Sequence, residues 1–355
     1  MNKLYNFNPG PSKLPEEIIH RIIKAINYYT PINSSILEIT HRSKEFGEIL
    51  ENIEKNLYLL FNIPDEYKLL LMQGGATFQN ALIPYNIPLE KKIGCLVNGH
   101  WGKKTFGDYK KVFRNVEKFE YSFDSLDSIY EHEYSKFNYL HVTSNETIDG
   151  IQIRNLSKIK NSNLIVDMSS DIGSYKFSFE NISYIYAGAQ KNLGIPGVTV
   201  SIIKKDFIVE NDNPAYLNLS ELTQNNSLLN TPSTFSIFVL NLVLEWMNEM
   251  GGLDYFENKS IHQSNLIYEF LDSYKENFLV LDKSEFRSRS NITFNFRNLE
   301  LNKKFIEYSK ELGIEGINGH RSVGGVRVSL YNSITDDMVS FLINNIEKFL
   351  VQVKK

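Results

Sequence analysis

Six short apolar runs, set apart by stretches long enough for a helix or a loop, constrain this chain more than any other feature. They are Lys68–Met72, Ile93–Val97, Tyr139–Val142, Leu164–Val166, Tyr184–Tyr186 and Val198–Ile203. A strand with one wet face alternates polar and apolar residues. These runs do not alternate, so both faces of each strand are covered, as in parallel sheets buried under helices. The alternation of strand and helix predicts an α/β fold with a mostly parallel central sheet. Before the first run, Phe46, Ile49, Leu50, Ile53, Leu57 and Leu60 fall at helical spacing between Ser43 and Phe61. An amphipathic helix is expected from Thr231-Pro232 to a stop at Gly251-Gly252.

Beyond that stop the order of elements changes. A helix near Leu253–Tyr274 leads to strand-like Asn291–Arg297, a further helix, strand-like Gly325–Tyr331 and a C-terminal helix. This predicts a smaller α+β domain, placed at residues 256–355, after a large domain at 15–255. Residues 1–14 are expected to pack on the smaller one. A length of 355 residues suits two packed cores. The net charge of -4 offers no field for nucleic acid or an acidic membrane. A single cysteine, Cys95, precludes an intrachain disulfide. Neither a basic-then-apolar leader nor a run of about 20 apolar residues is evident, so a cytoplasmic protein is expected.

Four clusters lie at strand ends, where open α/β sheets bind ligands. Gln73-Gly74-Gly75-Ala76-Thr77 joins a strand to a helix. Its small residues suit either a tight turn or a cradle that brings backbone N–H groups to an anion. Asn98-Gly99-His100-Trp101 carries one of two tryptophans, whose flat ring is suited to stacking on an aromatic group or to a core. His100 reads there as no more than a loop residue. In Ile165-Val166-Asp167-Met168-Ser169-Ser170 a carboxylate closes an apolar strand. Such a group serves as a helix cap, or meets a buried positive charge such as a protonated pyridine nitrogen. Finally, Tyr184 to Gly194 delivers Lys191 from an apolar, small-residue strand into a turn. Most lysines are solvated, but one held in a dry pocket has the lowered pKa that imine chemistry requires.

Longer motifs identify a resemblance that runs from end to end. They are Phe7-Asn8-Pro9-Gly10-Pro11, Glu38-Ile39-Thr40-His41-Arg42-Ser43-Lys44-Glu45-Phe46, Ser144-Asn145-Glu146-Thr147-Ile148-Asp149-Gly150, Tyr186 to Asn192, Asn230-Thr231-Pro232, and Gly319 to Arg327. In content and order they resemble the phosphoserine aminotransferases, fold-type I enzymes of the class-V aminotransferases that use pyridoxal 5'-phosphate. By that resemblance Lys191 is the Schiff-base lysine and Asp167 the partner of the pyridine nitrogen. Trp101 is the residue stacked on the ring, and Thr147 donates to its phenolic oxygen. Ala76, Thr77, Ser169 and Gln190 surround the cofactor phosphate, and Asn230 and Thr231 reach it from the second subunit of a homodimer. Arg327 is implied to grip the substrate α-carboxylate. His41, Arg42, His320 and Arg321 are implied to bind the distal phosphate or carboxylate. No metal-ligand set is assigned. The chain departs from many relatives at Gly173-Ser174-Tyr175-Lys176-Phe177, where they carry a small turn and Arg-Pro.

The implied reaction is a reversible exchange between glutamate and 3-phosphohydroxypyruvate, yielding 2-oxoglutarate and O-phospho-L-serine. An alanine–glyoxylate or serine–pyruvate aminotransferase would have no use for four basic residues at a distal anion. A cysteine desulfurase needs a mobile nucleophilic thiol, and Cys95 lies in an expected buried strand. A catalytically dead binding protein would not need Lys191, Asp167 and Trp101 together.

Overall fold

The structure, a computed structural model, describes residues 4–113, 115–161 and 163–353. Its centre is a seven-stranded sheet. In chain order the strands are β1 (Tyr67–Met72), β2 (Ile93–Val97), β3 (Val116–Glu120), β4 (Tyr139–Thr143), β5 (Leu164–Asp167), β6 (Ile182–Gly188) and β7 (Thr199–Lys204). Across the sheet the order is β1-β7-β6-β5-β4-β2-β3. The six runs read as strands are all present, and every residue of β2 and β6 is buried. One direction differs from the expectation: β7 runs antiparallel to both β1 and β6. Only residues 189–198 separate β6 from β7. A parallel return needs a crossover of a dozen or more residues, so the chain can only turn back.

The sequence reading missed β3. Glu117, Lys118 and Glu120 are exposed and only Val116 and Phe119 are partly buried, as suits a charged edge strand. Among the described residues it pairs only with β2, in parallel.

Helices cover the sheet. Helix α1 spans Glu16–Asn27 and α2 spans Lys44–Phe61. The Ser43 hydroxyl accepts from the Phe46 N–H at 3.2 Å, which caps α2. Asn62 ends it in the left-handed region. Helix α3 (Gly75–Tyr85) and helix α4 (His100–Val112) each start directly after a strand. Helix α5 (Thr234–Glu249) packs on α2. It is not amphipathic as expected: residues from Ser236 to Met247 are buried almost without interruption, because α1, α2 and later elements surround it.

Helix α6 (Gly252–Ser273) then leads to a three-stranded sheet of β8 (Phe278–Leu279), β9 (Asn291–Phe296) and β10 (Val326–Ser329), with β9 in the middle. Helices α7 (Glu300–Glu311) and α8 (Asp336–Val353) complete this part. Two apolar clusters cover the two faces of the large sheet, and a third gathers Phe7, Ile267, Phe294, Phe305, Val328 and Phe349. Residues Tyr5–Asn6 pair in parallel with Ile314–Glu315. No described helix is long and apolar enough to cross a membrane.

Candidate active site

Because β1, β2, β4, β5 and β6 point the same way, their carboxyl ends open onto one edge of the sheet. Asp167 closes β5, and three residues beyond β6 the chain reaches Lys191. Both lie deep in the protein yet keep part of their surface, so they face a cleft rather than the core. Burial pushes the Lys191 amine below its ordinary value, against the upward pull of Asp167 and Asp171. Burial pushes Asp167 up, opposed by hydrogen bonds from Ser169 and by the charge of Lys191. The Ser169 N–H donates to Asp167 Oδ1 at 2.9 Å. The N-terminal segment lies against the lysine: the Ser12 N–H donates to the Gln190 carbonyl at 2.9 Å, and the Ser12 hydroxyl donates to the Lys191 carbonyl.

Helix α4 delivers Trp101. Its indole Nε1 donates to the Thr147 hydroxyl at 2.9 Å. On its other side, Thr147 accepts through its carbonyl from Arg327 Nη1 at 3.3 Å. Arg327 sits on β10, 8 % exposed, and its Nε is buried without a hydrogen-bond partner. A guanidinium held by one N–H of its fork keeps directed capacity for an anion. Arg327 also lowers the pKa of Lys191, so the two cations are within electrostatic reach. Arg327, Gly319, Val323 and Asp149 help to line a cavity of about 500 Å³.

The first turn of α3 presents Gly75, Ala76 and Thr77, whose N–H groups have no partner within the helix. Gly74, at φ +93°, makes the sharp entry possible, and a Cβ there would lie 2.5 Å from that of Phe78. A lysine with a depressed pKa, a buried carboxylate, an indole held by its edge and a helix start suited to phosphate together fit pyridoxal phosphate.

The family model "Aminotransferase class-V" matches residues 4–342. This chain is a class-V aminotransferase. It is 40% identical to the "Phosphoserine aminotransferase" of Bacillus cereus strain ATCC 14579 over 359 aligned positions, which cover 98% of this chain and 99% of the relative. Among solved structures it superposes on phosphoserine aminotransferase from Bacillus circulans subsp. alkalophilus with a TM-score of 0.91. Identity there is 34%, with 98% of each chain covered. A PLP-bound phosphoserine aminotransferase from Trichomonas vaginalis superposes with a TM-score of 0.87 at 29% identity, covering 97% of this chain and all of that one.

Within the aminotransferase, Ala76 and Thr77 stand in the first turn of α3, and the other residues singled out from sequence divide into two groups. Lys191, Asp167, Trp101, Thr147, Ser169, Gln190 and Arg327 are linked to one another by the contacts above. Ser169 is joined to the end of β6, its hydroxyl accepting from the Gly188 N–H at 3.3 Å. His320 and Arg321 belong to the same group through charge, since Arg327 and Arg321 both push His320 down after burial and His100. His41, Arg42, Asn230 and Thr231 stand apart. Among the described residues none of these four forms a hydrogen bond or ion pair with Lys191, Trp101 or Arg327, and Arg42, Asn230 and Thr231 are exposed.

Sequence reasoning passed over the groups that hold Trp101 in place. Glu146 is fully buried, and its two oxygens accept from the N–H groups of Trp101 at 2.8 Å and Gly102 at 2.6 Å. Asp149 accepts from the His100 N–H at 3.0 Å. The N-terminus of α4 is thus capped by two carboxylates from a distant loop, a favourable place for negative charge. Burial raises Glu146 to about 8. A second network joins the large sheet to β9 and β10. Asn145 donates to Ser170 and to Asn291, each at 2.8 Å, and Asn291 donates to Ser329 and Tyr331. Beneath it the buried Asp171 accepts from Ser144 at 2.6 Å and Gln152 at 3.1 Å. Polar spacing in the motif from Ser144 to Gly150 was the available signal; buried side chains in so polar a run need partners. In the unusual turn at Tyr175–Phe177, Tyr175 is buried within electrostatic reach of Asp171 and Arg154, Phe177 lies 6.0 Å from Phe61 at the end of α2, and Lys176 is paired with Asp254.

Proposed function

We propose that this aminotransferase exchanges an amino group between glutamate and 3-phosphohydroxypyruvate, forming O-phospho-L-serine and 2-oxoglutarate for serine biosynthesis. The observation that carries the reading is the convergence of Arg327, Arg321 and His320 on the cleft that holds Lys191. Two anionic ends of one substrate are served by two separate basic groups. Arg327 takes the α-carboxylate in its fork, and His320 with Arg321 takes the distal phosphate or carboxylate. The relatives' names support the phosphorylated substrate.

Pyridoxal phosphate, when bound, supplies the electron-withdrawing ring that makes the Cα–H of an amino acid acidic. Lys191 would hold it through Nζ, Asp167 would face its ring nitrogen, Trp101 would lie on its ring, and Thr147 would reach its phenolic oxygen. Ala76, Thr77, Ser169 and Gln190 would surround its phosphate. The depressed pKa of Lys191 leaves its free amine able to take the substrate Cα proton and return it at the other end of the exchange. Asp167, a buried carboxylate, would meet a positive partner and so hold a ring proton in place. Arg327 orients the substrate so that its Cα proton faces Lys191.

His41, Arg42, Asn230 and Thr231 serve the site of a second copy of the chain, which makes the working unit a homodimer. Their separation from Lys191 within one chain supports this. The chain divides near residue 255 into a domain at 15–255 and another at 256–355, with residues 1–14 on the latter, and it works in the cytoplasm. The pairing of Tyr5–Asn6 with Ile314–Glu315 supports the placing of the N-terminal segment.

The test is a panel of amino acceptors with glutamate as donor, run on wild type beside Lys191→Ala. Turnover of 3-phosphohydroxypyruvate well above glyoxylate, abolished in the variant, is expected. Preference for glyoxylate would overturn the substrate assignment.

A further inference from the structure

His100, which sequence reading left as a loop residue, occupies the first position of α4, next to Trp101. Its ring lies 5.2 Å from that of His320, centroid to centroid, with the planes 50° apart. Its main chain is anchored by the N–H donated to Asp149 Oδ2. His320 Nδ1 is 2.7 Å from the Ser322 hydroxyl, which leaves Nε2 without a hydrogen bond. Two imidazoles from opposite sides of the cleft therefore meet where the distal anion of the substrate is proposed to sit.

The surroundings are charged on every side. Asp149 lies beneath the pair, within electrostatic reach of both rings. Arg321 and Arg327 come from the segment after His320. Lys103 follows on α4 and Glu120 ends β3, both lining with His100 and Ser322 a cavity of about 370 Å³. Burial first, and then the proximity of His100 and of the two arginines, makes a proton on His320 costly, against the pull of Asp149. A doubly charged phosphate offsets two imidazolium charges at once; a singly charged carboxylate offsets one.

We infer that His100 is a specificity residue that joins His320 in binding the distal phosphate of the substrate and contributes much less to a distal carboxylate. The inference rests on the proposed function and deepens it. The site then tells O-phosphoserine from glutamate by whether the ligand's distal group is large enough and charged enough to engage both imidazoles. His100 also links that recognition to the helix start that carries Trp101.

The experiment measures KM for O-phosphoserine and for glutamate from pH 6 to 8.5 in the cofactor-loaded wild type, His100→Asn and His100→Arg. Loss of one charge-assisted hydrogen bond to a phosphate raises KM for O-phosphoserine by about tenfold more than KM for glutamate in His100→Asn. In wild type KM for O-phosphoserine climbs with pH as His320, whose proton is already costly, loses it. His100→Arg, charged throughout, restores affinity at pH 8.5. An equal rise in both KM values, or none, overturns the role of His100. If wild type itself shows no preference for O-phosphoserine over unphosphorylated serine, the proposed function fails instead.

Discussion

Replacing Glu146 by Gln perturbs one buried group whose energetic consequences the structure specifies. The side chain keeps its size, and its oxygen still accepts one of the two N–H groups at the start of α4. The other N–H then faces an amide NH2. An unsatisfied buried donor costs about 1–3 kcal/mol, whatever the pH. Against this stands the charge. Burial raises Glu146 from 4.5 to about 8, so between those values the folded chain keeps a proton that the unfolded chain has released. Stability contributed by that proton is complete below 4.5 and is lost as pH rises through 8. The whole effect is roughly 5 kcal/mol at about 1.4 kcal/mol per pH unit. Glutamine has no proton to lose. The variant is therefore expected to equal or trail wild type at pH 5 and to overtake it by pH 9. With a melting entropy of roughly 0.75 kcal/mol/K for a chain of this length, the difference in Tm moves by about 6 °C in favour of the variant. Scanning calorimetry of the two cofactor-loaded proteins at matched pH values provides the measurement. A Tm difference that stays constant from pH 5 to 9 would refute the argument. It would mean that the two N–H groups and the helix start offset the burial of the charge completely.

Three further outcomes follow from the same geometry. Gly102→Ala puts a Cβ 2.7 Å from the Leu96 carbonyl oxygen, so the start of α4 has to shift. A fall of roughly 1–4 °C in Tm from overpacking of about 1–3 kcal/mol, with altered Trp101 fluorescence in a Trp246→Phe background, is expected. Arg327→Lys keeps the charge but loses the fork, and KM for glutamate rises roughly tenfold or more while the cofactor stays bound; an unchanged KM would remove Arg327 from the substrate. Cys95 is fully buried and burial alone pushes its thiol far up, so a thiol reagent finds no reactive cysteine in the native protein and one after denaturation. Rapid labelling of the native enzyme would contradict the placement of β2.

Much of the site was legible because each motif sits where a strand ends. Asp167 closes the apolar run of β5, Trp101 follows β2, and Lys191 follows β6, so a sheet with these strands parallel brings all three to one edge. What the motifs did not disclose is which polar residues hold them there. Glu146 is 45 residues from Trp101, and Asn145 is 146 residues from Asn291. Neither pairing leaves a local trace, since hydrogen-bond capacity looks the same in a residue that will be solvated and one that will be buried.

Local chemistry by itself determined the covered, mostly parallel sheet, the helices that flank it and the strand-end positions of Lys191, Asp167 and Trp101, because unbroken apolar runs cannot face water on either side. Only the tertiary structure decided the rest. It set the reversed direction of β7, which depends on how short a connection is, and the edge position of β3. It brought His100 against His320 and left Arg327 with an unpartnered Nε. Those features depend on groups far apart in the chain meeting in a space from which water is removed, where the value of a charge or a donor is set by its neighbours.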